Sequence, residues 1–231
     1  MQLFWSEAPQ NGKIYLQEEE ARHLIKSLRK GIGEEVQCTD GKGYIYKCTL
    51  LNAERKSTVL EVNETKYLGK FWEGNLHIGI AMTKNADRIE WFTEKAVEAG
   101  IDRISFILTQ FAERSHLKRD RILNIIRSAM KQSYNIHLPE VTFEVPFSKI
   151  VDVDADQKLL ATCSDIPKIP ISKSLSAGKS NLILIGPEGD FSSAEINAAS
   201  KAGFLGVDLG KSRLRTETAG LASIFAFHYS I

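Results

Sequence analysis

The sequence contains few cysteines and no long apolar segment. None of its three cysteines, Cys38, Cys48 and Cys163, belongs to a Cys-x-x-Cys pair, so neither a disulfide framework nor a zinc ribbon is expected. The five histidines show no metal-ligand spacing. No segment approaches the roughly 20 apolar residues of a membrane-spanning helix, and the first residues do not resemble a secretory signal. These absences predict reduced thiols, no metal, no membrane contact and a cytoplasmic location.

An excess of either charge is also missing. The 30 lysines and arginines nearly balance 29 acidic residues, which gives a net charge of +1 and argues against a protein that coats nucleic acid. A local basic patch is still compatible with this balance. Hydrophobic residues make up 43% of the 231 residues, which is a globular composition. A typical domain size of roughly 150 residues allows one or two domains.

Residues 1–70 predict a small, barrel-like β domain with one short helix. In Glu18–Leu28, apolar residues recur at the spacing of one helical face. The pair Asp40-Gly41, between two strand-like segments, is a strong hairpin signal. Strands are predicted at Lys13–Leu16, Glu35–Thr39, Tyr44–Leu51 and Ser57–Glu64. The segment Thr65–Gly74 contains two glycines and no clear periodicity, so it is the candidate linker to a second domain over residues 71–231.

Strands and helices alternate in residues 71–231. The predicted strands are Leu76–Met82, Arg103–Leu108, Lys158–Thr162, Asn181–Ile185 and Phe204–Leu209. The predicted helices are Ala86–Ala99, Leu117–Ser133, Ala194–Ala202 and Thr216–Tyr229. This alternation predicts a parallel sheet with helices on both faces. Ligands of such sheets bind beyond the carboxyl ends of the strands, so the loops after Thr162, Ile185 and Leu209 are the candidate binding loops.

The loop after Ile185 begins with a glycine-rich motif. The apolar strand continues into Gly186-Pro187-Glu188-Gly189 and reaches Ser192 or Ser193, either of which can cap the next helix. The glycines let the backbone approach a ligand closely, and the proline stiffens the turn. An ordinary strand-to-helix turn would explain this motif if it stood alone. A similar arrangement after Leu209 favours a ligand site.

The loop after Leu209 combines charged and hydroxyl side chains with the start of a helix. The segment Arg213-Leu214-Arg215-Thr216-Glu217-Thr218 lies beside the free amides of that helix N-terminus. One interpretation is a helix capped by Thr216 or Thr218, with Arg215 in solvent. The other is a binding or catalytic site, which a dense polar group at this edge of a parallel sheet favours.

Basic residues form two clusters, one in each predicted domain. The first, Arg22–Lys30, contains no acidic residue, and the second, Arg114–Lys131, contains only Asp120. A run of charge usually indicates a solvated helix face. Two such runs in a near-neutral protein favour a surface that contacts nucleic-acid phosphates. The predicted RNA-binding residues are Arg22, His23, Lys26, Arg29, Lys30, Arg114, Lys118, Arg119 and Lys131.

The two C-terminal motifs resemble those of a known family. Leu-Ile-Gly-Pro-Glu-Gly at 184–189, Leu-Gly at 209–210 and Arg-Leu-Arg-Thr-Glu-Thr-Ala at 213–219 are similar to motifs of the RsmE family. This family comprises small-subunit (16S) ribosomal RNA uridine N3-methyltransferases of the SPOUT superfamily. Weaker similarities occur at His23-Leu24, Leu28-Arg29, Asp40-Gly41, Glu94–Gly100, Glu113–Ser115, Gln132-Ser133 and Pro139. The resemblance therefore covers the whole chain.

The resemblance implies a fold, a cofactor and partners. It implies a PUA-like RNA-binding β-barrel domain over residues 1–70, followed by an α/β SPOUT domain with a parallel sheet and a C-terminal trefoil knot. It also implies a homodimer, S-adenosyl-L-methionine as cofactor and small-subunit ribosomal RNA as substrate, either free or in the assembled subunit. Two alternatives stay open: a non-catalytic RNA-binding protein, and a SPOUT methyltransferase that acts on transfer RNA.

The resemblance also implies roles for individual residues. Arg215 would hold the uridine and favour its N3 anion. Glu188 or Glu217 would hold the cofactor amine or accept the proton, so these three residues are the predicted catalytic residues. The predicted cofactor-binding residues are Thr162, Ile185, Gly186, Glu188, Gly189, Leu209, Gly210, Leu214, Thr216, Thr218 and Ala219. The sequence departs from the family pattern at Asp190, Lys131, Asn135 and His137.

Overall fold

The computed structural model describes residues 2–54, 58–112, 117–176 and 178–230. The chain divides into two compact units. The first unit comprises Met1–Phe71 and Arg127–Leu138, and the second comprises Trp72–Ile126 and Pro139–Ile231. Each unit contains one β-sheet. In the described part of the chain, no helix is long and apolar enough to cross a membrane.

The first unit contains a five-stranded sheet. Its strands are β1 (Leu3–Trp5), β2 (Lys13–Tyr15), β3 (Glu35–Thr39), β4 (Tyr44–Asn52) and β5 (Val59–Tyr67). Their order is β1-β3-β4-β5-β2, and all neighbours are antiparallel except β1 and β3. The predicted hairpin joins β3 to β4 and contains Gly41, whose φ is 71°. A Cβ atom at Gly41 would lie 2.6 Å from Leu138, so both conformation and space require glycine there.

The helix of the first unit changes its winding halfway along. The α-helix α1 spans Glu18–Arg22 and continues as a π-helix over His23–Ser27. In the π-helix, the Leu28 amide donates to the carbonyl of His23, five residues earlier. The predicted apolar face is confirmed, because Ala21 and Leu24 are fully buried in the core of this unit. The prediction of α-helical winding up to Leu28 is wrong.

The second unit contains a seven-stranded sheet in which every neighbouring pair is parallel. Its strands are β6 (Asn75–Ala81), β7 (Arg103–Leu108), β8 (Glu140–Pro146), β9 (Gln157–Ala161), β10 (Lys168–Pro170), β11 (Ser180–Ile185) and β12 (Leu205–Asp208). Their order is β10-β12-β9-β11-β6-β7-β8. Strand β11 is central, and Leu182, Ile183 and Leu184 are completely buried. A continuous apolar run is typical of a strand that is covered on both faces.

Helices follow several strands of this sheet. They are α2 (Ala86–Ala99), α3 (Arg119–Ser133), α4 (Phe147–Ile150), α5 (Ser193–Lys201) and α6 (Thr216–Tyr229). Helix α3 begins in the second unit and ends in the first. Helix α2 is capped by Asn85, whose side chain accepts a hydrogen bond from the Asp87 amide, and it ends before Gly100. Helices α2 and α6 contact each other, and α6 also contacts β6.

The predicted α/β class, with a parallel sheet after a small β domain, is confirmed, but several elements differ from the predictions. The sequence patterns do not predict β1, β8 or β10. Strand β8 is an edge strand with half-buried or exposed side chains, and β1 and β10 have three residues each. Residues Thr65–Tyr67, predicted as linker, continue β5 and pair with β4. The trefoil knot stays a prediction.

Candidate active site

A cavity of about 670 Å³ lies at the carboxyl edge of the seven-stranded sheet. The loops after β9, β11 and β12 form it, and these are the three predicted binding loops. The predicted cofactor-binding residues that line it are Thr162, Ile185, Gly186, Glu188, Leu209, Gly210, Leu214, Thr216 and Ala219. Thr218 instead lines an adjoining cavity of about 580 Å³. A Cβ atom at Gly189 would lie 3.1 Å from Phe111, so Gly189 packs against that side chain.

Both glycine-containing loops have a special backbone geometry. In the loop after β11, the Asp190 amide donates to the Pro187 carbonyl at 2.9 Å, and Asp190 has a left-handed φ of 64°. A Cβ atom at Gly186 would lie 3.1 Å from the ring of Phe191, so backbone and ring approach closely. In the loop after β12, Gly210 has a φ of 114°, which favours glycine. The local sequence therefore determines the path of both loops.

The two helices that follow these loops begin differently. Helix α5 is capped by Ser192, whose hydroxyl accepts from the Glu195 amide and whose amide donates to the Glu195 carboxylate at 2.8 Å. The cap of α6 is Arg215, whose side chain makes no capping bond. The hydroxyl of Thr216 donates to the Gly186 carbonyl at 3.0 Å. The interpretation that a threonine caps α6 is therefore wrong, and Thr216 joins α6 to the loop after β11.

Three charged side chains meet beside the cavity. Arg88, on α2, lies 3.3 Å from a carboxylate oxygen of Glu188 and 3.8 Å from one of Glu217. Glu217 is only 7% exposed, and its Oε2 is buried without a hydrogen-bond partner among the described residues. Buried carboxylate oxygens usually accept hydrogen bonds, so this one is suited to a ligand donor. No sequence motif includes Arg88, although its place on the helix after β6 is a usable signal.

Arg215 lies where the two cavities adjoin. Its side chain is exposed and lines both the 670 Å³ and the 580 Å³ cavities. Glu188 lines the larger cavity, whereas Glu217 and Trp91 line the smaller one. The structure therefore brings all three predicted catalytic residues to the same edge of the sheet.

Comparison with protein families shows what kind of protein has this arrangement. A family model described as an RNA methyltransferase domain matches residues 72–228, and one described as an RNA methyltransferase PUA domain matches residues 16–63. The chain belongs to the RNA methyltransferase family. The family predicted from the C-terminal motifs is thereby confirmed, together with the PUA-like character of the N-terminal domain.

Relatives of this RNA methyltransferase match it over nearly its whole length. Ribosomal RNA small subunit methyltransferase E of Bacillus subtilis is 27% identical over 236 residues, which cover 91% of this chain and 88% of the relative. A probable rRNA-methyltransferase from Porphyromonas gingivalis is 36% identical, with a TM-score of 0.91, and the match covers 99% of this chain and 98% of the relative. Ribosomal RNA small subunit methyltransferase E of Neisseria gonorrhoeae, bound to S-adenosyl methionine, is 26% identical, with a TM-score of 0.87. This match covers 99% of this chain and 97% of the relative.

The first basic cluster of the methyltransferase lies along the helix of the first unit. Its exposed cationic members are Arg22, Lys26 and Arg29. Lys30 lies 2.5 Å from the carboxylate of Glu34, and the His23 ring lies 2.6 Å from the side-chain nitrogen of Gln2. The exposed cations are therefore the part of this cluster best placed to contact RNA phosphates.

The second basic cluster is divided between the two units. In the second unit, Lys118 is exposed, and the guanidinium of Arg119 lies 3.2 Å from the Glu144 carboxylate. In the first unit, Lys131 forms an ion pair with the buried Glu20. Arg114 lies outside the described residues. Because Glu20 compensates the charge of Lys131, this pair also helps to hold the end of α3 within the first unit.

Proposed function

We propose that this RNA methyltransferase uses S-adenosyl-L-methionine to methylate N3 of a uridine in small-subunit (16S) ribosomal RNA, and that it does so in the cytoplasm. The main support is that both C-terminal motifs, residues 184–189 and 209–219, contribute to one cavity. Further support comes from relatives of matching length that are named ribosomal RNA small subunit methyltransferase E.

The larger cavity fits S-adenosyl-L-methionine, which has an adenosine part, an amino-acid part and a sulfonium. Ile185 and Leu209 supply apolar lining for the adenine ring, and Gly186 leaves the backbone accessible where a side chain would crowd Phe191. Glu188 lines the same cavity and is the carboxylate assigned to the cofactor amine. When bound, the cofactor supplies an electrophilic methyl group on a positively charged sulfur.

The smaller cavity is the proposed site of the uridine. N3 lies on the Watson–Crick edge of the base, so the uridine has to be unpaired or flipped out. Trp91 offers a partly exposed ring on which the base can stack. Arg215 stays protonated at neutral pH and therefore cannot be the base. Its role is to stabilise the uridine anion through charge-assisted hydrogen bonds.

Glu217 is the proposed acceptor of the N3 proton. Its buried Oε2, which lacks a hydrogen-bond partner among the described residues, belongs to a side chain that lines the smaller cavity. With the proton on this carboxylate, N3 would be the nucleophile for the methyl carbon of a bound cofactor, whose sulfur would keep the electron pair of the broken carbon–sulfur bond. The anion and the cation neutralise each other, so positioning and exclusion of water provide most of the acceleration.

The exposed cations of the first unit are the proposed contacts to RNA phosphates. Replacing Arg22 and Lys26 by glutamine should reduce the magnitude of the negative slope of log affinity against log salt by about 0.7–0.9 for each lost contact. Cofactor affinity should not change. Lys13→Gln is the control, because Lys13 is exposed on β2 outside both clusters. Unchanged salt slopes in the double variant would show that these side chains are only solvated.

The protein is proposed to act as a homodimer, as the family resemblance implies. Phe225 and Tyr229 on α6 are 41% and 82% exposed. Their rings are stacked, with 6.1 Å between the ring centroids. Exposed aromatic pairs of this kind often contribute to interfaces. Sedimentation velocity should show a dimer for the wild type and a monomer for Phe225→Lys. A monomeric wild type would contradict this part of the proposal.

Mass spectrometry of RNA nucleosides tests the proposed reaction. A strain without this protein should lose one N3-methyluridine from small-subunit ribosomal RNA, and the wild-type gene should restore it, whereas an Arg215→Ala gene should not. Loss of a methyl group from transfer RNA would favour the transfer RNA alternative. Unchanged methylation, together with retained RNA binding, would favour a non-catalytic protein. Purified small subunits and naked ribosomal RNA, compared as substrates in vitro, would identify which form is methylated.

A further inference from the structure

The carboxylate of Asp190 joins the loops that follow β9 and β11. Its Oδ2 accepts hydrogen bonds from the Thr162 hydroxyl at 2.7 Å and from the Cys163 amide at 2.9 Å. The same oxygen accepts from the amide and hydroxyl of Ser164 at 3.0 and 3.1 Å. The other oxygen, Oδ1, accepts from the Phe191 amide at 2.8 Å. Five donors on one carboxylate determine how these two loops are placed beside each other.

Asp190 makes these bonds from an unfavourable backbone conformation. Its φ of 64° lies in the left-handed region, where glycine is favoured over residues with a Cβ atom. Such a conformation persists only where surrounding interactions compensate for it. The turn is closed by the hydrogen bond from the Asp190 amide to the Pro187 carbonyl, which a glycine at this position could also donate. Four of the five hydrogen bonds to the side chain come from residues 162–164, so the carboxylate mainly holds the loop after β9.

The loop held by Asp190 forms part of the wall of the 670 Å³ cavity. Thr162, Cys163 and Asp190 all line the cavity. Lys168 also lines it and donates from Nζ to the Thr162 carbonyl at 3.0 Å. Thr162 is thus held through both its hydroxyl and its carbonyl. Because the amides of Cys163 and Ser164 point to Asp190, the carboxylate also sets the orientation of two peptide planes in this wall.

We propose that Asp190 is a positioning residue for cofactor binding, which holds residues 162–164 in the conformation that completes the cofactor cavity. The proposal depends on the location of S-adenosyl-L-methionine proposed above. Asp190 acts through this loop and has no direct part in the methyl transfer. Changes at Asp190 should therefore raise the KM for the cofactor, while kcat at saturating cofactor and the affinity for RNA stay close to wild type.

Calorimetry with S-adenosyl-L-methionine on Asp190 variants tests this proposal. Asp190→Gly removes the carboxylate and relieves the left-handed strain, and it should weaken cofactor binding about tenfold or more, as expected for the loss of charged hydrogen bonds. Asp190→Asn keeps one acceptor oxygen for the loop and should bind with intermediate affinity. Thr162→Val combined with Asp190→Gly should weaken binding by less than the product of the two single effects, because both changes remove the same bond.

Asn11→Gly is the matched control for backbone strain. Asn11 also has a left-handed φ, 50°, and does not line the cavity, so this variant should bind the cofactor as the wild type does. The proposal is overturned if folded Asp190→Gly binds the cofactor with wild-type affinity, whatever its unfolding temperature. Absence of binding by the wild type would instead contradict the proposed function, so the two failures are distinguishable.

Discussion

The two edges of the seven-stranded sheet use carboxylates in different ways. At the amino edge, Oδ2 of Asp102 accepts hydrogen bonds from the Trp72 indole at 2.9 Å and from the Leu76 amide at 2.8 Å. At the carboxyl edge, the Asp190 carboxylate bonds to the loop of residues 162–164. The cavity at the amino edge measures about 260 Å³, whereas that at the carboxyl edge measures about 670 Å³.

This difference separates a stabilising role from a functional one. Asp102 bonds to the backbone at the beginning of a strand, so it satisfies polar groups within the sheet. Asp190 bonds to a loop that extends beyond the strands, where Gly186 and Gly210 allow the chain to turn around a cavity. We therefore expect changes at the amino edge to affect the free energy of unfolding, and changes at the carboxyl edge to affect cofactor binding and catalysis.

The largest effect is expected for Arg215→Ala at the carboxyl edge. Methyl transfer should fall about 10²–10³-fold, because the uridine anion loses a charged hydrogen-bond donor. Binding of S-adenosyl-L-methionine and the unfolding temperature should stay near wild type. Arg215→Lys should restore little activity, since the planar fork of the guanidinium is lost. Raising the pH should partly restore the alanine variant, because uridine N3 then ionises without help, and single-turnover assays over a pH series measure this.

Arg103→Ala is the matched control at the amino edge of the same sheet. Arg103 donates to the carboxylate of Glu140 at 3.0 Å, and both side chains are exposed or partly exposed. The methyltransferase activity of Arg103→Ala should remain close to that of the wild type. If Arg103→Ala and Arg215→Ala lost activity equally, or if Arg215→Ala stayed active, the assignment of catalysis to the carboxyl edge alone would be wrong.

A smaller effect, on stability, is expected for Asp102→Ala at the amino edge. Removal of the carboxylate leaves the buried Trp72 indole and Leu76 amide without this acceptor, which should lower the free energy of unfolding by about 1–3 kcal/mol. Cofactor affinity should not change. Asp156→Ala is the comparison, since its exposed carboxylate bonds to Ser180 and should contribute less. Urea unfolding measures the change in stability and calorimetry measures cofactor affinity. Weaker cofactor binding in Asp102→Ala would contradict a purely stabilising role for Asp102.

The last effect concerns the pH dependence of stability and His77 on β6. Burial, with a further contribution from Arg103, lowers the pKa of His77 to about 3. In the unfolded chain this histidine binds a proton below about pH 6.5, whereas the folded protein does not, so stability falls as the pH drops from 6.5 towards 3. Urea unfolding at pH 7 and pH 5 should show a smaller loss for His77→Gln than for the wild type. An equal loss would mean that His77 does not contribute to the acid sensitivity of this edge.

Local sequence signals predict the elements of the second unit better than they predict its contacts. Helix α2 and strand β7 have the predicted bounds, because their apolar periodicity and the glycine between them are strong local signals. The edge strand β8 lacks a buried apolar run and is missed. The contact between Arg88 and Glu188 joins residues 100 positions apart. Such contacts depend on the order of strands in the sheet, which no local pattern determines.

Hydrogen exchange with and without S-adenosyl-L-methionine, followed by mass spectrometry, tests most directly the claim that the carboxyl edge is the functional edge. The cofactor should slow exchange in residues 162–164, 186–191 and 209–216. Exchange in residues 75–77, 102–104 and 180–182, at the amino edge, should not change. Protection confined to the amino edge or to the first unit would show that the carboxyl edge does not bind the cofactor.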